Sequence, residues 1–284
     1  MRFIVLGTSG WSCRSPEIAP LLEQISGFGE IVLQDFTGEA DLAEVEADFV
    51  VVLGGDGAIL RAARQMEMVQ RPVLAVNLGR LGFLAEFGPH ELASALQRIA
   101  QGDYRITEHL MLLCEVNHNG QTLPARLGLN EATVQTGPPF ALMEVDLFVD
   151  KEWVTTYRCD GIIISTPVGS TAHNLSAGGP ILRKDLQAFV ICPISPHTLS
   201  HRPVVDSADR IYEIVIVRAR GSPAAVVDGV VVANLMTGDI VQVRRAPVTF
   251  KTVTFPDRGY YRTLREKLGW GGQLELATIP RQKG

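Results

Sequence analysis

Much that would mark a specialised chain is missing here. Only four cysteines occur among 284 residues, Cys13, Cys114, Cys159 and Cys192, and none stands in a C-x-x-C pair. That spacing offers no zinc knuckle or redox couple and leads us to expect reduced, buried thiols in a cytosolic protein. No stretch approaches the roughly 18 apolar residues of a spanning helix. The opening run Met1-Arg2-Phe3-Ile4-Val5-Leu6-Gly7 is too short for a signal peptide and soon turns polar. No block of lysine or arginine appears and the net charge is −5, so neither nucleic acid nor a membrane surface is expected as a partner. Internal repeats and low-complexity tracts are absent. So are three catalytic signatures. There is no G-x-x-x-x-G-K-[ST], which excludes a P-loop enzyme. After the first apolar run, Gly7-Thr8-Ser9-Gly10 does not complete the G-x-G-x-x-G of a dinucleotide dehydrogenase. Gly169-Ser170-Thr171 lacks the frame of a hydrolase nucleophile elbow.

What is present is an ordinary globular composition, 46% hydrophobic and 20% charged, enough to bury a sizeable core. Apolar runs at 3–6, 31–33, 48–53 and 73–76 read as strands. Helical periodicity lies between them at 16–25, 41–47 and 58–68, and again at 90–100. This alternation predicts an α/β domain over residues 1–102, a mostly parallel sheet with flanking helices. After Gly102 the pattern shortens to alternating runs at 111–117, 132–135, 143–149, 161–165, 211–217 and 240–243. An all-β sandwich is therefore expected over 103–255. Residues 256–284 read as a C-terminal tail, with 262–270 a short capping segment.

The sharpest feature is Gly54-Gly55-Asp56-Gly57, between the strand ending at Leu53 and the helix starting near Ala58. A helix N-terminus at the carboxyl end of a parallel strand presents free N–H groups and positive potential to phosphate. Glycines let the backbone come close to the ligand. The carboxylate repels phosphate, and so reads as a base or orienter for an attacking hydroxyl, or as a group acting through a metal ion. A plain N-capping Asp is the simpler reading. Further along, Leu129-Asn130-Glu131 leads into an apolar run. The strand at 161–165 then enters a long loop of hydroxyls and glycines, Ser165-Thr166-Pro167-Val168-Gly169-Ser170-Thr171-Ala172-His173-Asn174-Leu175-Ser176-Ala177-Gly178-Gly179-Pro180. Long loops of this kind are usually functional.

These motifs resemble the NAD kinase family, and the resemblance runs over nearly the whole chain. It takes in Asn77-Leu78-Gly79-Arg80-Leu81-Gly82-Phe83-Leu84, residues 193–203, Asp228-Gly229 and Leu264-Arg265-Glu266-Lys267-Leu268-Gly269-Trp270. The glycine-aspartate turn is shared with diacylglycerol, sphingosine and phosphofructokinase-type kinases. The Asn-Glu pair and the Ser-Thr-Ala loop are specific. The resemblance implies phosphoryl transfer from ATP, with Mg²⁺ or another divalent cation, to the 2′-hydroxyl of NAD. It implies Asp56 as catalytic base, with Gly55, Gly57 and Arg61 at the same end of the site. Asn130 and Glu131 would hold ribose hydroxyls or the adenine amino group. Arg158 and Asp160 would lie near the nicotinamide, and Thr171, Ala172, His173, Asn174, Leu175 and Ser176 would wall the nucleotide. No residue is assigned as a metal ligand, and a cytoplasmic homodimer or homotetramer is implied. For several of these residues plainer readings stay open: Arg61 as a solvated helix charge, Asp160 as a turn cap, Asn130 and Glu131 as turn residues. Four positions depart from the family pattern: Ala58 and Val168 stand for Thr, His173 for Tyr, and Val230 for Gln. A kinase of another alcohol and a non-catalytic NAD(P)-binding sensor are the alternatives.

Overall fold

The computed structural model describes residues 1–270 apart from residues 9, 80–81, 86, 139–141, 199 and 257–258 and the side chain of residue 262. Of the segments singled out above, Ser9, Arg80, Leu81 and the tail beyond residue 270 lie outside the described residues. In chain order the elements are β1 (Arg2–Gly7), α1 (Ala19–Ser26), β2 (Glu30–Asp35), β3 (Phe49–Leu53), α2 (Asp56–Gln65), β4 (Val73–Val76), α3 (Leu92–Ala100), β5 (Arg105–His118), β6 (Gln121–Thr122), β7 (Arg126–Gly128), β8 (Glu131–Gln135), β9 (Met143–Val149), β10 (Glu152–Cys159), β11 (Gly161–Ser165), α4 (His173–Ser176), β12 (Ala188–Ile194), β13 (Val204–Ser207), β14 (Tyr212–Arg218), β15 (Ala224–Val227), β16 (Val230–Asn234), β17 (Ile240–Thr254) and α5 (Tyr260–Leu268).

The first hundred residues form a parallel sheet in the order β2-β1-β3-β4. β3 and β4 are buried along their whole length, as strands covered on both faces must be. Ile59, Ala62, Ala63 and Met66 give α2 one apolar stripe, which packs on one face with Val50, Val52, Val73 and Ala75. α1 and α3 cover the other face with Leu21, Ile25, Leu92 and Leu96. The chain goes one way from β1 to β2 and the other way to β3 and β4. The switch point therefore lies between the carboxyl ends of β1 and β3, where such sheets bind ligands.

The remainder is the expected antiparallel sandwich. One layer contains β10-β9-β14-β17 with β5 beside β17, the other β13-β12-β11-β8-β15-β16. Inward residues of both layers share one core, including Leu112, Cys114, Val145, Ile162, Ile164, Phe189, Tyr212 and Val241. β17 also pairs in parallel with β4 through Thr252 and Val73, so one sheet runs through both halves of the molecule.

Three expectations need correction. Residues 41–47 are not a helix. Asp41 Oδ1 accepts the Ala43 N–H at 2.9 Å, a local turn that competes with helix. Only Leu42 is buried there, so no apolar stripe repays the ordering of so short a segment. β17 runs for 15 residues rather than four, because a register shift between Arg245 and Thr249 absorbs Pro247, whose missing N–H hides the strand from pattern reading. Cys13 is exposed, whereas the other three thiols are buried; burial pushes Cys114 and Cys159 up to about 12.

Asp35, at the carboxyl end of β2, accepts hydrogen bonds from the Thr37, Gly38 and Ala40 amides, from Thr37 Oγ1 and from Gln65 Nε2 of α2. Burial alone would raise its pKa, but these donors win and hold it well below the usual carboxylate range. A depressed pKa stabilises the fold above the unfolded value, about 3.9, and that stability is lost as pH falls further. Asp35→Ala is expected to cost roughly 2–4 kcal/mol at pH 7, since charged hydrogen bonds are lost and donors are left unpaired. The deficit should shrink on acidification below pH 4. Denaturant melts at pH 7 and pH 3 make the comparison, and equal deficits at both would refute the ionic account.

Candidate active site

The turn Gly54–Gly57 sits at the switch point, and α2 begins there with Gly55 as its N-cap in extended conformation. Asp56 does not cap the helix. Its carboxylate turns away and accepts three consecutive backbone N–H groups: Phe83 on Oδ2 at 2.8 Å, Leu84 and Ala85 on Oδ1 at 3.0 and 3.2 Å. A carboxylate has about four lone-pair sites, so one remains, on Oδ2. The approach is so close that a Cβ on Gly82 would stand 1.9 Å from Asp56 Oδ1. Lys184 Nζ donates to the Phe83 carbonyl at 2.7 Å and fixes the same segment from its other side. Lys184 follows Leu182, whose N–H is held at 2.9 Å by Ser170 Oγ of the long loop. The loop and the Asp56 arm are thus joined by two hydrogen bonds and two residues of chain.

Across from this turn, Leu127 and Leu129 and the loop residue Val168 pack into the same core as Ala58, Ile59 and Ala62 of α2. Asn130 and Glu131, both buried, follow directly. Their backbone is clamped from two sides. Asp228 accepts the N–H groups of Leu129, Asn130 and Glu131 at 2.7, 2.8 and 3.0 Å. Asp228 sits in the two-residue Asp-Gly turn between β15 and β16 with φ +46°, which Asp tolerates. On the other side Thr166 Oγ1 donates to the Leu129 carbonyl and Thr166 N to the Asn130 carbonyl at 2.8 Å. A Cβ on Gly169 would meet that carbonyl oxygen at 2.1 Å.

Strand alternation then sets a polar row. Ala132 and Val134 face the sandwich core, so Glu131, Thr133 and Gln135 share the opposite face. Four residues of strand span about 13 Å. The far end of the row opens on a recess of about 220 Å³ lined by Gln135, Thr136, Asp160, His173 and Ile194. Ala177 and Leu182 pack with Ile163 and Cys192 on the neighbouring strands, and so hold α4 and its loop over that face.

The sequence-based site residues therefore fall into groups. Asp56, Gly55 and Gly57 belong to the switch point. Arg61, one turn along α2, reaches the Thr37 carbonyl at 3.4 Å. Asn130 and Glu131 start the polar row, and Asp160 and His173 close it. Thr171 donates to the Val168 carbonyl. Asn174 is buried and donates to the carbonyls of Ser170 and Pro180, which makes it a clip for the loop. Ala172 and Leu175 are half-buried and Ser176 is exposed. Arg158 is mostly exposed on β10 and pairs with Glu144 at 3.0 Å. Among the departures, Ala58 and Val168 lie in one buried apolar cluster, and Val230 is exposed beyond the Asp-Gly turn. Sequence reading missed Thr133, Gln135 and Lys184 as site residues, and missed Asp228 as the holder of Asn130-Glu131. Only Asp228 left a signal, as part of a quoted motif.

A carboxylate fixed in a glycine turn at the sheet's switch point, together with a polar row along β8 long enough for a nucleotide, is the arrangement of a nucleotide-dependent phosphotransferase. Relatives narrow the class. The ATP-NAD kinase N-terminal domain model matches residues 27–104 and the ATP-NAD kinase C-terminal domain model residues 129–255. The NAD kinase of Rhodopirellula baltica is 49% identical over 278 residues, covering 98% of this chain and 89% of its own length. That of Cellvibrio japonicus is 40% identical over 80% of this chain and 76% of its own. Among solved structures, yeast NADH kinase complexed with NADH aligns with a TM-score of 0.85 at 23% identity, over 97% of this chain and 90% of its own, a likeness of fold. An NAD kinase from Archaeoglobus fulgidus in complex with ATP aligns at 0.77 and 26% identity, over 95% and 99%. The chain belongs to the NAD kinase family.

Burial, and then the charge of Asp228, raise the Glu131 carboxyl from 4.5 to about 8. Burial likewise raises Asp228, against its three N–H donors. A raised carboxyl pKa means that the folded protein holds a proton the unfolded chain releases between pH 4.5 and about 8. Stability is then complete below that window and falls as pH rises through it. Glu131→Gln, neutral throughout, should flatten this decline and melt above wild type at pH 8. Parallel melting curves for the two proteins from pH 5 to 8 would show that Glu131 does not titrate there.

Proposed function

We propose that this member of the family transfers the terminal phosphoryl group of ATP to the 2′-hydroxyl of the adenosine ribose of NAD, giving NADP, and that the residues assembled above perform it. The observation that carries the residue assignment is the remaining lone pair on Asp56 Oδ2, in a carboxylate whose rotamer three N–H groups fix. A ribose hydroxyl placed there donates to Asp56, which takes the proton as the oxygen attacks in line. The free N–H groups of Gly55 to Gly57 and the α2 dipole bind the donor phosphates. Glu131 and Asn130 hold the ribose or adenine, and Asp160, His173 and Arg158 serve the nicotinamide end. Arg61 and the loop residues Thr171 to Ser176 complete the walls.

No group of three His, Cys, Asp or Glu side chains among the described residues is arranged to hold a metal ion. In this reading the divalent cation enters with the donor substrate, as the magnesium complex of ATP. In this reading residues 1–102 form the donor side, 103–255 the NAD side and 256–284 the tail. We further place the protein in the cytoplasm as a homodimer or homotetramer. No helix among the described residues is long and apolar enough to cross a membrane. Trp153, Val154, Val204 and Val205 are exposed on the edge strands β10 and β13, a surface suited to a second copy.

Turnover with NAD, ATP and Mg²⁺ is the primary test. Asp56→Asn should lower kcat by at least roughly 10²-fold, the low end for loss of a general base, with KM for NAD little changed. Near-normal turnover in a folded Asp56→Asn protein would remove it from the mechanism. His173→Ala should weaken NAD binding by roughly 1–3 kcal/mol, as for base–aromatic stacking, and His173→Tyr should keep it. An unchanged KM in His173→Ala would return that ring to a structural role.

A further inference from the structure

A cavity of about 330 Å³ lies away from the polar row, where β4, the start of β5 and the end of β17 meet the start of α5. Its charge is one-sided. Among the described residues, Arg105, Arg183 and Lys184 line it with one carboxylate, Asp185, which Arg183 Nε already engages at 2.9 Å. Among the described lining residues cations outnumber carboxylates by two. Its floor holds His109, which is only 4% exposed. His109 Nε2 lies 2.9 Å from Thr252 Oγ1, and the ring also meets the Lys184 backbone. Burial, with the Lys184 charge second, lowers this imidazole to about 3, so it stays neutral and adds no third net charge. The remaining wall is apolar: Leu84, and Phe87 stacked edge-to-face on Phe255 with centroids 5.3 Å apart. Positive rim, neutral imidazole and aromatic wall together fit one kind of occupant.

We propose that this cavity is a second ligand site, for a small organic anion with a phosphate or carboxylate head on a flat apolar body, and that its occupant slows phosphoryl transfer through Lys184. The second half rests on the proposed function; the first does not. Two residues connect the cavity to Asp56. Leu84 lines it and donates its N–H to Asp56 Oδ1. Lys184 lines it and donates to the carbonyl of Phe83, whose N–H holds Asp56 Oδ2. An anionic head competes with that carbonyl for the ammonium group, and the segment that orients Asp56 loses its outer tie.

Calorimetry on the full chain saturated with NADP and ADP tests the site without any turnover. The probes are phenyl phosphate and benzoate, with inorganic phosphate and benzyl alcohol as charge-only and ring-only controls. We expect one or both aryl anions to bind and the controls to bind at least about tenfold more weakly. Lys184→Met and Arg105→Ala should each weaken binding by about tenfold or more, the loss expected for a charge-assisted contact. Lys184→Arg, which keeps the charge, should stay within a few-fold of wild type and guards against a folding artefact. In turnover, the bound probe should lower kcat and leave KM for NAD unchanged. No binding by either aryl anion, displacement by NADP or ADP, or equal binding in Lys184→Met overturns the site. Binding that leaves kcat unchanged overturns the coupling to Asp56.

Discussion

A carboxylate that accepts a run of backbone N–H groups is the interaction on which this molecule's functional geometry depends. Asp56 collects Phe83, Leu84 and Ala85, and Asp228 collects Leu129, Asn130 and Glu131. Asp35 does the same for the loop after β2. Asp56 and Asp228 serve amides distant in sequence, whereas Asp35 serves amides two to five residues away. Buried amides must be satisfied, and charged acceptors form the stronger bonds. The irregular segments beside the active site are thereby held about as firmly as strands. A site on such loops keeps the close tolerances that phosphoryl transfer requires.

The same geometry explains why two departures from the family pattern are compatible with an intact site. Ala58 and Val168 replace hydroxyl-bearing residues, and both sit in the cluster that joins α2 to the strand before Asn130. A buried hydroxyl there would need a partner, whereas Ala and Val need none. Both side chains add to the apolar packing between α2 and the strand before Asn130. Its alignment is carried instead by packing and by the Asp228 and Thr166 clamps.

Legibility from the sequence followed the range of the interactions. β3, β4, β9 and β11 were visible because burial on one or both faces writes itself into local alternation. The glycine turn was visible because it is local in sequence. β10, β13 and β16 escaped, being edge strands in which exposed residues such as Trp153, Val204 and Val231 blur the pattern. The helix expected at 41–47 failed because its one buried residue, Leu42, cannot outweigh the Asp41 turn. In the site, Asp56, Asn130 and Glu131 were legible through family resemblance. The Lys184–Phe83–Asp56 chain was not, since it joins residues 101 positions apart through a backbone carbonyl that no motif encodes. Asp228 was seen as a motif, but its role depends on a hydrogen-bond set spanning 97 to 99 residues.

Glu131 shows what such a site costs and why it is retained. Its Oε2 is buried without a partner, and burial beside Asp228 raises its carboxyl to about 8. In the empty protein this acid is therefore mostly protonated at neutral pH, an arrangement that packing alone would not select. In the proposed role, a Glu131 that accepts ribose or adenine donors with both oxygens would first give up that proton. Ligand donors would then supply the stabilisation that water supplies elsewhere to the carboxylate beside Asp228. Such a site discriminates sharply, because an analogue lacking the donor leaves the acceptor unpaired. The destabilising feature of the free protein and the selectivity of the complex are thus one property of a single buried carboxyl group.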